Sequence, residues 1–294
     1  MLSLLRRLLE MIRFSHTIFA MPFALLSAAL AWRDDDFHAV DLLGILLCLI
    51  FARSTAMAFN RIADRRIDAL NPRTAQRHLP SGSLSLRLVV CFTILCAVCF
   101  IASTGLFLLR EPPNRWPLYL SGPVLVFICA YSLTKRFTIA AHFWLGASLM
   151  LAPLAAWIAV RGPIDLATPL VVGGAVLFWV SGFDILYACQ DAVFDRKAKL
   201  ASIPARIGIP ASLKVALGCH IVMLGFLVLL AFVNPHLGTI YLSGIGIIAV
   251  LLAYEHWLVR PDDLTRVNKA FFQVNGIISI GLLALVLLQL AVER

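Results

Sequence analysis

Asn60, Asp64 and Asp68 recur at intervals of four in the run Asn60-Arg61-Ile62-Ala63-Asp64-Arg65-Arg66-Ile67-Asp68. Residues four apart on a helix are neighbours, so these three oxygen-bearing side chains would share one face. A second run, from Asp184 to Asp195, places Asp184, Tyr187, Asp191 and Asp195 at offsets of 0, 3, 7 and 11, a narrow stripe at about 100° per residue. Carboxylates flanked by apolar sequence are expensive unless something neutralises them, which makes each cluster a candidate functional site. Hard oxygen donors suit Mg²⁺, which takes one or two carboxylates and completes its shell with waters and phosphate oxygens. The ion would bridge the acids to a diphosphate, neutralise it and help it leave. Arg65, Arg66, Arg73, Arg77, Arg196, Lys197 and Arg206 lie nearby in sequence, able to contact the remaining phosphate oxygens. One such cluster alone would read as acids paired with adjacent arginines at a solvated helix end; two in corresponding places favour the metal-diphosphate reading. No P-loop, HExxH, GxSxG or GxGxxG pattern in a suitable context competes with it.

The elements that must hold these residues are membrane helices. Of 294 residues, 61% are hydrophobic and 14% charged, where a soluble domain carries roughly 25% charged residues. Apolar runs of about 20 residues, long enough to cross a hydrocarbon core of roughly 30 Å, recur along the whole chain. They predict an all-α integral membrane fold of about nine spans, near 15–32, 40–60, 88–109, 116–134, 138–160, 167–190, 211–233, 238–259 and 268–291. The first run lacks a small-residue cleavage site and is followed by many more spans, so it reads as a retained helix. The net charge of +9 does not indicate nucleic acid, because the basic residues sit in short loops rather than on one continuous surface. Most fall on the side shared by the N-terminus and the even-numbered loops, which the positive-inside rule assigns to the cytoplasm. Two long loops on that side each follow an acidic helix end. The chain therefore reads as a single domain, 1–294, with pseudo-repeated halves of roughly 1–137 and 138–294. The seven cysteines are scattered through the spans, and even the Cys96–Cys99 pair reads as packing.

These residues resemble the UbiA superfamily of intramembrane aromatic prenyltransferases, whose pattern is NDxxDxxxD after one helix and a Tyr-containing DxxxD after another. The resemblance covers nearly the whole chain and extends to the run from Arg73 to Gly82, to Tyr131, Lys135 and Arg136, and to Ser202 through Gly208. It implies nine helices around a central cavity capped by the two cytoplasmic loops. One departure is that Arg61 stands where the family has an aspartate, leaving Asn60, Asp64 and Asp68 as the first motif's ligands. The opening Arg13 to Pro22, with Tyr254-Glu255-His256 and Pro261-Asp262-Asp263-Leu264, is more similar to the futalosine-pathway menaquinone branch than to ubiquinone enzymes.

What the resemblance implies is Mg²⁺ held by Asn60, Asp64, Asp68, Asp191 and Asp195, binding the diphosphate of a polyprenyl donor whose tail lies among the helices. Loss of diphosphate would leave an allylic cation for the ring of an aromatic acid, either 4-hydroxybenzoate or 1,4-dihydroxy-6-naphthoate, and water must be excluded. Arg13 stands where the family carries an arginine near the acceptor, and a guanidinium suits a carboxylate. His16 follows on the same helix face, as a core histidine or an acceptor contact. Tyr131, Lys135 and Arg136 read either as site residues or as interface anchors; Arg53, a charge inside a span, should face the bundle interior. Two other functions compete. A transporter would carry its acids near the bilayer midplane on broken helices, whereas these lie at helix ends. Another enzyme of the same superfamily would use the same chemistry on a haem or lipid acceptor.

Overall fold

In hydrocarbon every backbone N–H and C=O must find its partner inside the protein, so apolar runs of this length are committed to helix. The computed structural model describes residues 2–13 and 19–292, and all regular structure among the described residues is helical. In chain order the α-helices are α1 (Leu2–Met11), α2 (Met21–Asp34), α3 (Ala39–Leu70), α4 (Leu86–Thr104), α5 (Trp116–Thr134), α6 (Ala141–Arg161), α7 (Ala167–Ala188), α8 (Ala192–Lys197), α9 (Ile203–Ile207), α10 (Ile209–Val233), α11 (Thr239–Leu258), α12 (Val267–Lys269) and α13 (Asn275–Val292). Eight described helical stretches are long and apolar enough to span a membrane: Ala39–Leu70, Leu86–Leu109, Trp116–Thr134, Ala141–Arg161, Ala167–Lys197, Ile209–Val233, Thr239–Leu258 and Val267–Val292. They match the expected second to ninth spans. The expected first span is met only over α2, whose 14 residues measure about 21 Å; residues 14–18 lie outside the described part.

The chain divides into two compact units, Met1–Thr17 with His38–Leu133, and Ile18–Phe37 with Thr134–Arg294. In the first, α3 packs on α4, and a tight turn at Gly105–Leu109 brings the buried Phe107 ring over Gly44, where a Cβ would lie 2.6 Å from it. Helix α3 runs ten residues beyond the expected end at 60. Beyond residue 60 no glycine or proline interrupts it until Pro72, whose ring pushes Asn71 to an extended conformation (ψ 117°). The short α1 was not among the expected elements. Its Leu8 and Met11, with Ile12 just beyond, bury against Ala58 of α3 and against Leu84 and Val89 at the start of α4, while Arg6 and Arg7 stay outside. Ser85 begins α4 by accepting a hydrogen bond from the Leu88 amide, a standard N-cap.

In the second unit α7 packs on α6 and α10, α2 lies on α6 and α13, and α11 meets α10 and α13. Helices α6 and α7 approach closely at Gly146, where a Cβ would stand 2.3 Å from the Leu177 carbonyl oxygen. One buried polar chain links three helical segments: Trp179 Nε1 donates to Asn275 Oδ1 (2.6 Å), and Asn275 Nδ2 donates to Glu255 Oε1 (2.6 Å). Arg161 at the end of α6 pairs with Asp34, Asp35 and Asp165 at 2.6, 2.9 and 3.1 Å.

Candidate functional site

The extension of α3 carries the first acidic motif. Asp64 and Asp68 are buried and Asn60 is half-buried, all on one continuous helix. Asn60 Nδ2 donates to Asp64 Oδ2 (3.2 Å) and reaches Ser132 Oγ on α5 (3.3 Å). Both oxygens of Asp68 accept from Arg77 Nη1 at 2.8 and 2.9 Å, and the Thr74 hydroxyl donates to the Asp68 carbonyl (3.0 Å). Thus the stretch after α3, which sequence reading assigned to phosphate contacts, folds back onto its last acid.

Arg61 has a definite place. Its Nε donates to the Met11 carbonyl (3.2 Å) and its Nη1 to Asn60 Oδ1 (3.4 Å). Arg53, about two helical turns earlier, donates to the Ile12 carbonyl (3.5 Å), so it does turn inward. Two α3 guanidiniums therefore meet the carbonyl end of α1, where a helix is partially negative. Beside them is a cavity of about 610 Å³ whose lining includes Arg6, Arg13, Arg61, Arg73 and Arg77, with Glu10 the only acid. Arg13 is exposed, with a left-handed backbone (φ 47°). Arg65 does not join this group, since its Nη1 returns to the Ile62 carbonyl of its own helix (3.3 Å); Arg66 is exposed. Tyr131 on α5 is half-buried. His16 lies outside the described residues.

The second motif differs from the continuous stripe expected. Helix α7 stops at Ala188, residues Cys189–Asp191 form one tight 3₁₀ turn, and α8 resumes at Ala192. At the break Cys189 Sγ donates to Ile185 O (3.4 Å) and Gln190 Nε2 to Tyr187 O (3.2 Å). Asp184 and Tyr187 therefore ride on α7, and Asp195 on α8 beyond the break. Tyr187 packs against Phe271, ring centroids 4.6 Å apart, in a one-turn π-helical bulge at Ala270–Val274.

Asp184 Oδ2 meets His142 Nδ1 of α6 at 2.7 Å, and the other ring nitrogen accepts from the Ile203 amide (3.3 Å). Asp195 takes a hydrogen bond from Ser202 and lies within electrostatic reach of Asp191, Lys135 and His142. The Ala201 amide ties this stretch to the Lys135 carbonyl (2.7 Å). Arg196, expected on phosphate, is exposed and donates to Ala205 O (3.2 Å). Lys197, Arg206 and Arg136 are exposed. Thr74 and Ser202 lie in runs that carry the family resemblance but had no role assigned to them, and His142 and Ser132 were not anticipated. Only Ser202, a capping residue just before Ile203-Pro204, carries a local signal.

Among the described residues no three His, Cys, Asp or Glu side chains converge on one metal position. The donors gathered on α3 are oxygens alone, the set that suits Mg²⁺, an ion that rarely uses an all-protein cage.

The sequence pattern of the UbiA prenyltransferase family matches residues 20–277. A 4-hydroxybenzoate octaprenyltransferase of Nitrosospira multiformis is 30% identical over 236 residues, 80% of this chain and 78% of that one. Among solved structures, the apo form of a UbiA homologue from Aeropyrum pernix K1 is 29% identical and superposes with a TM-score of 0.80, covering 95% of this chain and 98% of that one. A UbiA homologue from Archaeoglobus fulgidus bound to DMAPP and Mg²⁺ is 19% identical with a TM-score of 0.71, covering 97% and 99%.

Proposed function

Because this multi-pass membrane chain belongs to the UbiA prenyltransferase family and is a prenyltransferase, we propose that it transfers a polyprenyl group from its diphosphate to an aromatic acid for quinone synthesis, with Mg²⁺. The observation that carries this reading is the pair of buried acids on α3, Asp64 and Asp68, the second of which is joined through Arg77 to an arginine-lined cavity. Each acidic motif would supply oxygen ligands to Mg²⁺ at the donor diphosphate, Asn60, Asp64 and Asp68 from one and Asp191 and Asp195 from the other. When bound, Mg²⁺ supplies charge neutralisation that makes diphosphate a leaving group.

Asp68 is engaged by Arg77 on both oxygens, so it is released for donor binding when that guanidinium moves to a phosphate oxygen, a comparably strong charge-assisted partner. Arg73 and Arg77 hold phosphate oxygens. Arg13 holds the acceptor carboxylate, for which a planar fork is suited. Asp184 and Tyr187 contact substrate from α7, with Tyr131, Lys135 and Arg136 completing the surround. The stretches 61–87 and 191–210 act as lids that keep water from the allylic cation. The excess of basic residues on one side of the spans supports a cytoplasmic N-terminus and cytoplasmic lids, in a cell inner membrane, with the chain as one domain of two pseudo-repeated halves.

The acceptor is either 4-hydroxybenzoate, as in the name of the Nitrosospira relative, or 1,4-dihydroxy-6-naphthoate, toward which the N-terminal run and Tyr254-Glu255-His256 point. Purified protein given a prenyl diphosphate, Mg²⁺ and a panel containing both acids, a haem and a lipid alcohol tests the reading. Prenylation of either aromatic acid alone supports it; prenylation of haem or lipid alone overturns it.

A further inference from the structure

His142 lies on α6, outside both acidic motifs, and is almost fully buried (5% exposed). Its Nε2 accepts from the Ile203 amide, and a ring nitrogen that accepts carries no hydrogen. The proton of this imidazole is therefore on Nδ1, facing Asp184 Oδ2 at 2.7 Å. A neutral donor pinned by its opposite nitrogen orients a carboxylate without neutralising it.

We propose that His142 is a positioning residue that sets the orientation of Asp184 and makes it depend on the order of the 200–207 segment. That segment is fastened at successive residues. The Leu200 amide meets the Asp195 carbonyl (2.8 Å), the Ala201 amide the Lys135 carbonyl (2.7 Å), and the Ile203 amide His142. Ser202 bonds the Asp195 side chain and caps α9. When the segment lifts, Nε2 loses its partner, the ring is no longer held to one tautomer, and Asp184 loses its fixed donor. Closure of the segment and alignment of Asp184 are then one event, before any chemistry. The inference rests on the reading above, in which Asp184 contacts substrate.

Two substitutions divide the two bonds. His142→Asn keeps a donor near the Nδ1 position and loses the acceptor for Ile203. His142→Gln places an amide oxygen where Nε2 accepted and loses the donor to Asp184. We expect His142→Gln to lower kcat/KM about ten- to hundredfold, the value of a hydrogen bond to a charged group, and His142→Asn to restore most of that loss. Hydrogen–deuterium exchange of the Ile203 amide, read without substrate, should move the other way: faster in His142→Asn, near wild type in His142→Gln. In the Asp184→Ala background, His142→Gln should lower activity no further, because its effect passes through Asp184. Full activity of Asp184→Ala would overturn the underlying reading. Impaired Asp184→Ala with His142→Gln at wild-type activity, or with additive losses in the double variant, would overturn the role of His142 alone.

Discussion

Arg77→Ala separates the two partners that the proposed function gives to Asp68. In the substrate-free protein Arg77 Nη1 meets both oxygens of Asp68, whose side chain is 6% exposed against 25% for Arg77. Breaking a fully buried pair costs about 3–5 kcal/mol, because a charge is left behind, and an exposed one costs under about 1. With one partner buried and the other partly wet, the loss should be about 2–3 kcal/mol in metal-free buffer. Mg²⁺ at a hundred times its dissociation constant restores about 2.7 kcal/mol to a protein that binds it only when folded. The variant, with Asp68 no longer blocked, should therefore gain more from Mg²⁺ than the wild type does. Thermal unfolding in detergent, with EDTA and then across a Mg²⁺ titration, measures both quantities. In turnover assays the donor KM should rise about ten- to hundredfold for the lost phosphate contact, with the acceptor KM little changed. If wild type and variant unfold alike in EDTA, or respond equally to Mg²⁺ with equal donor KM, the exchange of Arg77 between Asp68 and phosphate is wrong.

Asp64→Ala and Asp191→Ala should each abolish transfer, and EDTA should do the same to the wild type, since diphosphate without its metal leaves poorly; substantial turnover in EDTA would refute the requirement. Arg13→Ala should raise the acceptor KM about ten- to hundredfold and the donor KM far less, with Arg13→Lys recovering part through charge alone. Equal kinetics per mole of folded protein would return Arg13 to an anchoring role. Cysteines introduced at exposed positions 82 and 198 should resist membrane-impermeant reagents applied to intact cells and react in inverted vesicles. Labelling from outside would reverse the orientation assigned by the positive-inside rule.

The spans were legible because hydrocarbon allows few backbone solutions, so length and apolarity nearly determine the element. The first motif was legible for a related reason: a period of four on α3 stays in register when nothing interrupts the helix. The second motif kept its residues but not its stripe. The turn at Cys189–Asp191 contains neither glycine nor proline, so no residue in it signals the break. Helix α1 was overlooked although its apolar residues have helical spacing, since its docking depends on Arg53 and Arg61, 41 and 50 residues away. Arg61 read as a lost ligand; in three dimensions it secures that docking. His142 is separated from Asp184 by 42 positions, with no periodicity or spacing to connect them.

Gly146 sits one turn beyond His142 on the same face of α6, where the backbone of α7 leaves no room for a Cβ. With no side chain, Gly146 lets α6 and α7, which carry His142 and Asp184, approach closely. A random mutational screen for loss of quinone would place such a glycine among the acids of the motifs. A side chain there would push α6 from α7 and so shift His142 relative to Asp184. Bulk at a helix crossing would be read out as chemistry at the helix end.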